Sequence, residues 1–130
     1  MGLKAGKQAE YQLIDKLRKH DYIVIHAPAS GGGTKHPMPD IIFSKPKMPI
    51  YFVELKTCRS GKTIYISKEQ IDNLKILDEA FENAIVIIVV KFIKLARGKY
   101  FIVNLHELRK TKNNNYAVDF KAIKDNVTLF

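Results

Sequence analysis

Apolar positions recur with two periods along this chain, one helical and one extended. In residues 3–19, Leu13, Ile14 and Leu17 return at three- and four-residue spacing with Leu3 on the same face, which predicts a helix. Residues 22–27 are rich in β-branched side chains and predict a strand. A long loop, residues 28–39, holds Gly31, Gly32 and Gly33. Residues 40–43 and 50–57 predict two strands, joined as a hairpin by the proline- and lysine-rich turn 44–49. Residues 63–66 predict a short strand. Ser67 and Gln70 then have the spacing of a capping box, opening a helix that runs to about Glu82 with Ile71, Leu74, Leu77 and Phe81 on its apolar face. Residues 84–92 are continuously apolar, as in a central strand covered on both faces. A strand over 99–105 follows the turn at Gly98, and a short helix follows at 106–110. Residues 111–130 form a tail with no clear assignment. Strands flanked by helices predict an α/β fold: one central mixed sheet with helices packed on it.

The length of 130 residues fits a single domain over residues 1–130, large enough to hold a core without disulfides or a structural metal. Cys58 is the sole cysteine and cannot make an internal disulfide, so no oxidising compartment is implied. The first ten residues lack the apolar core of a signal peptide, and the longest apolar run is far shorter than the ~20 residues of a spanning helix. A soluble, cytoplasmic protein without a membrane partner is expected. Charge changes the picture more. The chain carries 22 basic and 13 acidic residues, a net charge of +9. Residues 85–112 hold seven basic side chains against one acidic, whereas residues 68–84 hold two against five. A basic surface can simply keep a protein soluble, but this excess also points to a polyanionic partner.

The candidate chemistry lies in the hairpin. Glu54 and Lys56 are two apart on one strand and share a face with Ile50 and Phe52, while Tyr51, Val53 and Leu55 keep the other face apolar. A turn centred near Lys47 places Asp40 opposite Glu54, on the same face, with Cβ atoms ~5 Å apart. Two carboxylates so close repel each other, and a divalent cation resolves the conflict. Mg²⁺ takes oxygen ligands from one or two carboxylates plus water and phosphate, and the Leu55 carbonyl could add another. Lys56 would stand beside the metal, able to orient the attacking water or offset phosphate charge. Glu10 is a separate oddity: on a helical wheel it lies between Leu13 and Ile14, where a carboxylate is costly unless paired or ligating. Taken singly, Glu54 and Lys56 could be a surface ion pair and Pro39-Asp40 a turn; the joint pattern is much more specific. His26 and His36 have no metal-binding spacing, and Cys58 reads as packing.

Pro39-Asp40 followed by Glu54-Leu55-Lys56 resembles the PD-(D/E)xK nuclease superfamily. Within it the chain closely resembles the archaeal Holliday junction resolvases, including those carried by archaeal viruses. The resemblance rests on the opening helix through Glu10, the Ala-Pro-Ala-Ser-Gly loop at 27–31, PDII at 39–42, VELK at 53–56 and the Ser-Lys-Glu-Gln segment at 67–70, and covers roughly residues 1–110. It implies a restriction-endonuclease-like core and a homodimeric, Mg²⁺-dependent endonuclease, with Mn²⁺ as a substitute, that cuts four-way DNA junctions by paired nicks in opposed strands. It implies metal binding by Glu10, Asp40, Glu54 and the Leu55 carbonyl, action of Lys56 on the nucleophile, and a catalytic role for Ser30 in the loop. Lys4, Lys7, Lys35, Arg59 and Lys62 are the expected DNA contacts. Gln70 is a candidate contact to water or phosphate, with capping as the simpler role. Ser30 can equally be a turn-forming residue. A sliding clamp could engage the tail. Another nuclease of the superfamily, or a non-catalytic DNA-binding module of the same fold, would share these features.

Overall fold

The computed structural model of the protein describes residues 5–27 and 37–130. Helix α1 (Ala5–Lys19) turns Leu13, Ile14 and Leu17 inward. Two residues past its end, Asp21, with a φ of 67°, reverses the chain into β1 (Ile23–His26). Strands β2 (Ile41–Ser44) and β3 (Ile50–Cys58) form the expected hairpin, followed by β4 (Thr63–Ile66) and helix α2 (Lys68–Ala80). Then come β5 (Ala84–Phe92), β6 (Tyr100–Val103), a single 3-10 turn at Leu105–Glu107, β7 (Arg109–Lys110), β8 (Tyr116–Asp119), the short helix α3 (Phe120–Ile123) and β9 (Thr128–Leu129).

Among the described residues the strands form two sheets. The larger is six-stranded and mixed, in the order β1-β2-β3-β5-β6-β9, and the smaller has the order β4-β8-β7. Only β3 and β5 pair in parallel within the larger sheet, because α2 carries the chain from one to the other while every other neighbour there is antiparallel. Two apolar layers cover the larger sheet. On one face α1 packs Leu13, Ile14 and Leu17 against Ile41, Phe43, Val53, Ile87, Val89 and Tyr100. On the other, α2 and the small sheet bury Ile71, Leu74, Leu77, Ile64 and Ile66 against Phe52, Ile88, Val90 and Phe101. No described helix is long and apolar enough to cross a membrane.

Three sequence expectations shift. Helix α2 stops at Ala80, so Phe81 lies past its end in extended conformation and packs edge-on to Phe52, 5.1 Å between ring centroids. The helix expected at 106–110 is one 3-10 turn followed by β7, because the Arg109 and Lys110 backbones pair with β8. The tail is built into both sheets: β8 pairs with β4, and β9 closes the edge beside β6. Neither strand is long enough to carry a periodic signal of its own.

Candidate active site

The β2–β3 register pairs Ile41 with Val53, Ile42 with Phe52 and Phe43 with Tyr51. Continuing by one pair sets Asp40 against Glu54, as the hairpin arithmetic requires. Asp40 lies at the bend where β2 begins. Its backbone N–H donates to the Val53 carbonyl at 2.9 Å, and its carboxylate Oδ2 accepts the Leu55 N–H at 2.9 Å. The carboxylate is thus held over β3 by the backbone rather than by a cation of the protein.

Glu54 is 8% exposed. Its parallel neighbour on β5 is Ile88, itself buried, so water reaches the carboxylate poorly. Burial foremost, and the negative charge of Asp40 next, push Glu54 up to about pKa 7 against the pull of Lys56. Asp40 is raised too, by burial first and by Glu10 in addition, while the Leu55 N–H works the other way. Lys56 Nζ stands 3.5 Å from Glu54 Oε1 and is largely buried beside it. One ammonium therefore faces two partly desolvated carboxylates, and the pair is short of positive charge. Hard oxygen donors in that condition, with the Leu55 carbonyl adjacent, fit a divalent cation such as Mg²⁺.

Glu10, expected to reach the same ion, is paired with a residue of the neighbouring strand. Its Oε1 lies 2.5 Å from His26 Nε2 on β1, and Tyr11 packs edge-on against the same imidazole. Among the described residues no three Asp, Glu, His or Cys side chains gather closely enough to hold a metal. The acids are linked in series instead. His26 holds Glu10, the Ala27 N–H next in the chain donates to the Asp40 carbonyl at 3.1 Å, and the Glu10 charge is felt at Asp40.

Of the expected DNA contacts, Lys7 is half-buried on α1 one turn before Glu10, and Arg59 and Lys62 are exposed in the turn between β3 and β4. Ser30, Lys4 and Lys35 lie outside the described residues. Gln70 completes the capping box: its Oε1 accepts the Ser67 N–H at 3.3 Å, and its own N–H donates to Ser67 Oγ at 3.1 Å. Sequence reasoning missed two residues. His26 carried a signal, since strand alternation puts it with Val24 on the α1 side where Glu10 needs a partner. Lys91 carried another, a charge inside the apolar run of β5.

A family model described as archaeal Holliday junction resolvase (hjc) matches residues 1–129, including the tail. A protein of Sulfolobus acidocaldarius named crossover junction endodeoxyribonuclease Hjc is 35% identical over 124 residues, covering 92% of this chain and 79% of its own. One of the same name from Sulfurisphaera tokodaii is 32% identical, covering 95% and 82%. The solved structure of Archaeoglobus fulgidus Hjc, described as a Holliday junction resolvase, superposes with a TM-score of 0.77 over 95% of each chain, at 20% identity. That structure has the same restriction-endonuclease-like arrangement of a mixed sheet between helices.

Proposed function

The chain belongs to the archaeal Holliday junction resolvase family, and from that membership we propose that it hydrolyses phosphodiesters in four-way DNA junctions by paired nicks in opposed strands. The carrying observation is the opposed Asp40–Glu54 pair, with the Leu55 N–H on one carboxylate and Lys56 on the other. Asp40, Glu54 and the Leu55 carbonyl would hold the divalent cation, Mg²⁺ or Mn²⁺ in its place. Bound there, it would supply charge to polarise the scissile phosphate and lower the pKa of a coordinated water. The protein's own groups do the rest. The Leu55 N–H fixes Asp40, buried Ile88 and Val90 keep water from the back of the site, and Lys56 orients the nucleophile. Glu10, aligned by His26, completes the site from α1 and biases Asp40 through its charge. Ser30, which falls between β1 and β2 in the sequence, is assigned to the same site by family position. Lys4, Lys7, Lys35, Arg59 and Lys62 hold the DNA backbone with little sequence readout. A cytoplasmic location follows from that substrate.

A homodimer completes the proposal. One chain carries one site, whereas a two-fold junction needs two equivalent cuts. The face of β1–β3 that α2 leaves open supports this: Ile23, Ile25 and Ile50 are exposed around Ile42, in a groove of about 390 Å³ that is almost wholly apolar.

The test is a strand-mapped nicking assay on a mobile four-way junction beside a linear duplex of equal length, with Mg²⁺ and with chelator. Symmetric nicks confined to the junction and abolished by chelator are expected. Equal cutting of the linear duplex would assign the chain to another kind of nuclease. Junction binding without metal-dependent nicking would make it a binding module.

A further inference from the structure

Residues 10 and 12 of α1 lie ~200° apart around the helix axis. Glu10 therefore faces the catalytic hairpin, while Gln12, Lys16 and Lys19 line the opposite flank. There α1 meets β5 and the turn that leads into β6, across a pocket of about 410 Å³ whose cations are Lys16, Lys19, Lys91 and Arg97 and whose one acid is Asp15.

Lys91 marks it as more than a basic surface. It is only 8% exposed, on the face of β5 that α1 covers. Its Nζ donates to Gln12 Oε1 and to the Tyr100 hydroxyl, both at 3.2 Å, and lies 4.5 Å over the Tyr100 ring. Tyr100 in turn donates to the Ala9 carbonyl at 3.4 Å. These partners are neutral. Among the described residues no carboxylate is within ion-pair distance of Lys91, and an ammonium has three N–H donors. Burial first, and the nearby Lys16 second, press its pKa down. A buried charge without a counter-ion is costly, and one fixed by two neutral acceptors is positioned for an anion from outside. The basic surface continues beyond the pocket through exposed Lys94 and Lys99 around the turn at Gly98, so a chain of phosphates fits better than a single small anion.

We propose that this pocket is a second phosphate-binding site, separated from the catalytic carboxylates by α1, which seats a backbone phosphate of a junction arm on Lys91 and Arg97. The proposal rests on the resolvase reading and adds a contact that orients the arm relative to the cutting site.

The test measures junction affinity across a salt series for wild type, Lys91→Met, the double variant Lys19→Ala/Arg97→Ala, and Lys75→Ala on the acidic helix α2 as control. Lys91→Met should weaken binding about tenfold at low salt and reduce the slope of log affinity against log salt by about one; Lys75→Ala should leave the slope alone. Melting temperature checks folding, and the double variant, whose side chains are exposed, carries the test should Lys91→Met fail to fold. Inorganic phosphate should raise the melting temperature of wild type more than that of Lys91→Met. Unchanged slopes with intact wild-type nicking overturn the pocket alone. A phosphate effect lost in Lys91→Met with an unchanged junction slope marks a small-anion site and overturns the DNA strand as occupant. Absence of junction binding by wild type overturns the resolvase reading, and this proposal with it.

Discussion

Asp40 and Glu54 are kept where they oppose each other at a cost to the fold. Glu54 is desolvated beside Ile88 and repelled by Asp40, and Lys56 offsets only part of this. Replacing Glu54 by Gln removes that repulsion, so in chelator the variant should melt no lower than wild type. Its nicking rate should fall by about 10²-fold or more, as should those of Asp40→Asn and Lys56→Ala, while gel-shift affinity for a junction largely persists. A variant of the three that nicks at near wild-type rate would displace its residue from the site. These three were readable from residue type and strand period, because a two-residue repeat and a hairpin centre suffice to place side chains on one face. His26 carried only the signal of strand alternation, which gives its face but not its partner, sixteen residues away on another element.

At the scale of elements, local signals performed best where they are self-contained. Ser67 caps α2 within its own first turn, and Ser67→Ala should cost about 1 kcal/mol, read as a lower melting temperature. The small sheet depends on longer reach. Asp119 Oδ1 accepts from Thr63 Oγ1 at 2.9 Å, and the Arg109 guanidinium grips both carboxylate oxygens, tying β4, β7 and β8 together. The Arg109 hydrogen bonds, helped by Thr63, hold the Asp119 pKa below its ordinary value. A carboxylate so lowered stabilises the fold above its unfolded pKa and loses that contribution as pH falls through the folded one. Asp119→Asn should therefore melt lower than wild type at pH 7, with the gap closing in melts taken below pH 4.

At the scale of the molecule, the described residues leave a broad apolar face of β1–β3 uncovered, and the proposed homodimer would use it. Ile25 is 57% exposed on an edge strand, so Ile25→Asp should keep the fold yet sediment as a monomer at micromolar concentration. A wild-type chain that sediments as a monomer would remove the two-site argument. Two apolar residues of the tail are engaged within the chain instead. Leu129 turns out to be spent in β9, and Phe120 packs against Phe92 and Phe101 inside the chain.

Periodicity alone determined the order of the main elements, the mixed α/β architecture and the opposed acid pair, because each depends on spacing within a few tens of residues. Tertiary structure decided what joins distant segments: the partner of Glu10, the burial that raises Glu54, the neutral cage around Lys91 and the incorporation of the tail into both sheets. Desolvation and long-range pairing depend on which chains pack together, and no local run of residues encodes that.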